Sequence, residues 1–99
     1  MDVGGTPLMS VPSVSQTVTV KLENGLHLVP CSRLVRLATS FACEVRIRKG
    51  HLNADGKNIF DLMSLAADHG ERLELQTSGD GAEEAMAKLV QIFEANFED

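Results

Sequence analysis

His27 is the side chain whose surroundings best suit a reaction. It stands just ahead of Pro30, and from there apolar residues fall at Cys31, Leu34, Val35, Ala38 and Phe41 or Ala42, the i, i+3, i+4, i+7 spacing of one helical face. Arg33, Arg36 and Ser40 occupy the other face. This spacing predicts a helix that begins almost at His27, with Pro30 in the first turn, where its missing N–H has no intrahelical partner to lose. First-turn amides, here those of Leu28, Val29 and Cys31, lack intrahelical acceptors, and the helix dipole favours negative charge beside them. Neutral imidazole, with a reference pKa of about 6.5, is available as a nucleophile near pH 7. A histidine so placed can take on an anionic group and have the charge met by backbone donors.

The same stretch invites a second chemistry. His27 and Cys31 are four residues apart, and a thiol in a first helical turn can be activated. Cys31, however, lies on the apolar stripe and reads as a small packed side chain, as Cys43 does on a core-facing strand position. His51 and His69 fall in turns far apart in the element order and read as incidental. With neither CxxC nor a four-ligand zinc spacing, no metal site and no cofactor are expected.

Alternation supplies the rest of the frame. Val18, Val20 and Leu22 alternate with Thr17, Thr19 and Lys21, and Glu23-Asn24-Gly25 ends that strand. Cys43, Val45 and Ile47 alternate with Glu44, Arg46 and Arg48, then Lys49-Gly50 turns into a short Leu52-Asn53-Ala54 strand. Asn58 can cap a short helix bearing Ile59, Phe60, Leu62, Met63 and Leu65. A fourth strand runs Arg72 to Thr77, and Ala82, Ala85, Met86, Leu89, Val90 and Phe93 mark a last helix whose Glu83, Glu84 and Lys88 face solvent. The order is βαββαβα. Short connections favour an α+β open-faced sandwich, a four-stranded antiparallel sheet with three helices on one face. The Gly-, Pro- and Ser-rich residues 1–15 are expected to form a flexible leader, and residues 16–99 the domain.

Composition bounds the function classes. A chain of 99 residues supports one core. Its net charge of −5 argues against nucleic acid as a partner, since phosphate neutralisation needs clustered Lys and Arg. The charge is uneven: residues 1–57 carry seven basic against four acidic side chains, a net +3, and residues 58–99 carry two against ten, a net −8. No apolar run approaches the roughly 18 residues of a membrane span, so no direct membrane insertion is expected, and the cytoplasm is the default location.

The segment Asn24-Gly25-Leu26-His27, followed by Pro30 and an amphipathic helix, resembles the active-site segment of the HPr family, the histidine phosphocarriers of the bacterial phosphoenolpyruvate-dependent sugar phosphotransferase system. Gly56-Lys57-Asn58-Ile59-Phe60-Asp61-Leu62-Met63-Ser64-Leu65 resembles that family's second-helix segment, and Gly70 stands where a glycine is usual there. The resemblance runs over roughly residues 15–97 without an insertion. It implies the HPr-like open-faced sandwich and a phosphoryl group carried on Nδ1 of His27. It also implies an Enzyme I-like phosphotransferase as donor and a sugar-permease or regulatory phosphotransferase domain as acceptor. The first two helices would form the docking surface, here Leu28, Ile59, Phe60 and Met63 with Arg33 and Arg36 as a basic rim, on a chain expected to act as a monomer.

Two positions depart from the family pattern. Between the histidine and the proline the family usually has Thr-Arg, where this chain has Leu28 and Val29. A charge-assisted hydrogen bond is worth about 1.5–3 kcal/mol and a helix-terminus interaction about 0.3–1, so the missing arginine outweighs the surviving terminus. Either transfer is slowed by roughly ten- to a hundredfold, or Arg33 or Arg36 partly substitutes. The second departure is Asn58, where many relatives have a serine phosphorylated by a kinase; asparagine caps a helix but has no hydroxyl to accept phosphate. These departures leave two expectations open: a phosphocarrier, and an HPr-like regulatory or interaction module with weak or no phosphotransfer.

Overall fold

A computed structural model describes residues 13–98. The alternating segments form β1 (Ser13–Thr19), β2 (Glu44–Lys49), β3 (Leu52–Asp55) and β4 (Arg72–Ser78), and the helical ones α1 (Leu28–Thr39), α2 (Ile59–Ser64) and α3 (Ala82–Glu94). The sheet order is β1-β4-β2-β3 with every pair antiparallel. Register puts like with like: Val18 faces Leu73, Ile47 faces both Leu75 and Ala54, and Val45 faces Thr77. Because cross-strand partners share a face, these pairs build one dry surface, while Thr17, Thr19, Glu44 and Arg48 stay exposed on the other.

All three helices contribute their buried side chains to the same core. From α1 come Pro30, Cys31, Leu34 and Ala38, and from α3 come Ala82, Ala85, Met86, Leu89 and Phe93. Six-residue α2 buries Leu62 alone, because so short a helix can turn only one residue fully inward. Leu34, Leu62, Leu73, Leu75 and Leu89 are sealed from solvent, and each adds about 1.5–3 kcal/mol over an exposed position. Thr77, a buried polar residue, is satisfied through its Oγ1, which donates to Ala82 O at 2.7 Å.

Element ends differ from the sequence expectation where pairing overrides local pattern. β1 starts at Ser13 instead of Thr17, since β4 offers a seven-residue partner and the register runs on from Thr19–Arg72 to Ser13–Ser78. Residues 13–15 therefore belong to the sheet; the leader expected over residues 1–15 otherwise lies outside the described residues. α1 ends at Thr39 instead of Phe41 or Ala42. Ser40 N and Phe41 N bond to Leu37 O and Ala38 O, i to i−3 links that tighten the last turn, and Ser40 Oγ also donates to Leu37 O at 2.6 Å.

Candidate functional site

A glycine makes the approach to His27 possible. Gly25 has φ +74°, and a Cβ built on it would lie 2.7 Å from Ala67 O and 3.1 Å from Asp68 Cα. With no side chain in the way, the turn packs against the segment between α2 and β4, and Leu26 N donates to Ala67 O at 2.8 Å. Leu26 is buried and anchors the turn in the core. His27 follows as the N-cap of α1, extended at φ −86° and ψ −168°, its side chain exposed and making no capping hydrogen bond.

The first turn of α1 then presents backbone donors. Among the described residues no acceptor is bonded to the amides of Leu28 and Val29, and Pro30 has none to offer. Cys31 corrects the expectation of a third free amide: its N–H donates to His27 O at 3.0 Å, closing the first intrahelical bond. An exposed imidazole thus sits beside two unbonded N–H groups at the positive end of a 12-residue helix.

The Cys31 side chain takes no part in nucleophilic chemistry. It is fully buried, its Sγ donates to Leu26 O at 3.3 Å, and burial pushes the thiol up to about 11, opposite to activation. Cys43 is also buried and free. Among the described residues no three His, Cys, Asp or Glu side chains gather into a group able to hold a metal ion.

Arg33 and Arg36 lie along a groove of about 530 Å³ between α1 and the end of α3, shared with Val29, Ile92 and Phe97; His27 is not part of its lining. Arg33 Nη1 donates to Phe97 O at 2.6 Å, which binds that guanidinium to the end of the chain. Val29 is the residue common to the groove and to the helix terminus.

Exposed apolar side chains lie on the first turn of α1 and on α2. Phe60 is 80% exposed, Leu28 56%, Val29 55% and Met63 42%. Ile59, grouped with them in the sequence reading, is partly buried and packs against the core, because Leu62 draws that side of α2 inward. Val29, which is not among the docking residues expected from sequence, is exposed like its neighbour Leu28, and the two make up the departure between His27 and Pro30. Asn58 caps α2 as its type suggests, Oδ1 accepting from Phe60 N at 3.0 Å and Asp61 N at 3.2 Å.

Fold and site together define a small open-faced α+β domain that presents a histidine at a helix N-terminus. The family model described as "PTS HPr component phosphorylation site" matches residues 14–95. The chain belongs to the HPr family of phosphotransferase-system phosphocarriers. It is 34% identical over 90 residues to the phosphocarrier protein HPr of Pseudomonas aeruginosa, covering 90% of this chain and 98% of that one. It is 37% identical over 81 residues to the HPr-like protein Crh of Halalkalibacterium halodurans, covering 82% and 96%. The crystal structure of HPr-C-His from Thermoanaerobacter tengcongensis superposes with a TM-score of 0.83 at 31% identity, covering 87% of this chain and 98% of that one. Among the described residues no helix is long and apolar enough to cross a membrane.

Proposed function

We propose that His27 accepts a phosphoryl group from an Enzyme I-like phosphotransferase and passes it to a sugar-permease or regulatory phosphotransferase domain. The carrying observation is the exposed imidazole beside the unbonded Leu28 and Val29 amides. In the transfer, the Nδ1 lone pair of His27 forms a bond to phosphorus as the bond between phosphorus and the donor's group breaks. The phosphoryl oxygens then lie at the helix terminus, where the two N–H groups and the dipole meet their charge. Such a carrier needs no deep pocket and no cofactor, because the partner supplies most of the positioning. Leu28, Phe60 and Met63 form the docking surface, with Arg36 on its rim, and the chain acts as a cytoplasmic monomer. Asn58 removes the hydroxyl on which a regulatory kinase would act.

A second reading is favoured by one observation, the exposed Leu28 and Val29 flanking the histidine. Apolar side chains suit a protein contact better than they suit a dianion, which supports a regulatory or interaction module with slow transfer. Incubation with phosphoenolpyruvate and an Enzyme I separates the two. The carrier gains acid-labile, base-stable phosphate that disappears in His27→Ala; absence of label, where an ordinary HPr is labelled, rejects the carrier reading with that donor.

A further inference from the structure

We infer that Lys49 and Glu71 are positioning residues for His27, acting through the loop whose Ala67 carbonyl holds the residue ahead of the histidine. The inference rests on His27 being the phosphoryl acceptor. Neither side chain belongs to the helix terminus or to the docking surface. Lys49 is the last residue of β2 and Glu71 immediately precedes β4, so both are tied directly to strands of the sheet.

Lys49 Nζ donates to Ala66 O at 3.1 Å and to Glu71 Oε1 at 3.3 Å. Glu71 Oε1 also accepts from Asp68 N at 2.7 Å, while Glu71 N donates to Asp68 O at 3.1 Å. The two charges thereby grip both ends of the 66–71 loop. That loop needs holding, because Ala66 sits at φ +50°, a left-handed conformation that an alanine adopts at a cost. The Asp68 amide and then the Lys49 ammonium draw the Glu71 carboxyl below its ordinary range, consistent with a carboxylate that stays charged at neutral pH.

The loop in turn brackets the turn that delivers His27. Ala67 O accepts from Leu26 N, Gly70 N donates to Val20 O at 2.7 Å, and His69 Nδ1 lies 3.2 Å from Leu22 O. Between these ties Gly25 runs so close to Ala67 O that no Cβ fits, so a displaced loop displaces the turn. A misplacement of about 1 Å in a transfer geometry can cost on the order of a hundredfold in rate, and loosening one clamp is a smaller disturbance.

The test uses the full chain with phosphoenolpyruvate and Enzyme I, comparing wild type with Lys49→Met, Glu71→Ala, Lys49→Arg and Arg48→Met. Arg48→Met is the control: it breaks an exposed 2.6 Å ion pair with Glu74 on the same sheet, away from the loop. Expected for Lys49→Met and Glu71→Ala are a roughly five- to twentyfold fall in kcat, a KM for the carrier within about twofold of wild type, and faster hydrogen exchange at the Leu26 amide. Lys49→Arg restores most of both signals, and Arg48→Met changes neither. Unchanged Leu26 exchange, or loosened exchange with kcat intact, overturns the inference, as does an equal fall in kcat for Arg48→Met. A wild-type chain that takes no label rejects the carrier reading instead, and a Leu26 exchange that ignores both substitutions then still overturns the clamp.

Discussion

The Leu26 amide donates to the Ala67 carbonyl at 2.8 Å, and through this bond the segment between α2 and β4 holds the turn that carries His27. The contact depends on Gly25 for two separate reasons, its positive φ and the absence of a side chain. Gly25→Ala combines left-handed strain of about 1–2 kcal/mol with overpacking of about 1–3, so a loss of about 2–5 kcal/mol is expected in urea denaturation. A loss below about 1 kcal/mol would show that the turn relaxes without leaning on the Ala67 carbonyl.

The backbone plan was legible before any coordinates. Alternation at Cys43, Val45 and Ile47 and helical spacing at Leu34 and Ala38 carry enough periodic signal to define sheet and helix faces. The part of β1 at Ser13, Ser15 and Gln16 was not legible, because those residues acquire strand structure from the partner β4 and lack an apolar rhythm of their own. The position of His27 at the helix start and Asn58 as the α2 cap could be read from type and spacing, whereas the split of the α2 cluster into packed Ile59 and exposed Phe60 and Met63 could not. The free or bonded state of the Cys31 amide, the engagement of Arg33 with Phe97 O and the Lys49–Glu71 grip depend on contacts across 4, 64 and 22 residues respectively. Only the first of these follows from helix geometry, which assigns the N-cap carbonyl to the amide four residues on.

If His27 carries the phosphoryl group, an arginine in place of Val29 would add a charge-assisted hydrogen bond to it. Restoring it with Val29→Arg supplies about 1.5–3 kcal/mol in favourable geometry, which corresponds to a rise in labelling rate of roughly ten- to a hundredfold. Initial rates with limiting Enzyme I measure the change. An unaltered rate would mean that the free amides already satisfy the charge.

Phe60 is 80% exposed, so its ring contributes little to the core. Phe60→Ala should leave folding stability within about 0.5 kcal/mol while weakening Enzyme I binding by about tenfold, the signature of an aromatic anchor at an interface. Calorimetric titration and thermal unfolding of the same variant check both halves. Intact binding would remove α2 from the docking surface.

The buried Cys31 thiol has a sign-definite pH consequence. Its ionisation moves from an ordinary 9.0 to about 11 on burial, so the folded chain retains a proton that the unfolded chain loses in that interval. The stabilisation is complete below pH 9.0 and declines as pH rises toward about 11. Comparing wild type with Cys31→Ala across this window, the stability gap between them should narrow as pH rises. Slow alkylation of Cys31 by iodoacetamide at pH 8 is expected for the same reason, and rapid alkylation in the folded state would contradict the burial.

The decisive measurement follows the backbone amides of 15N-labelled chain by NMR as phosphoenolpyruvate and Enzyme I are added. If an anion on His27 settles against the helix terminus, the Leu28 and Val29 amide protons move downfield together with new phosphohistidine signals, and Cys31, whose N–H is already bonded to His27 O, moves far less. Phosphorylation of His27 that leaves the Leu28 and Val29 amides where they were, or label arriving elsewhere in the chain, would contradict the account.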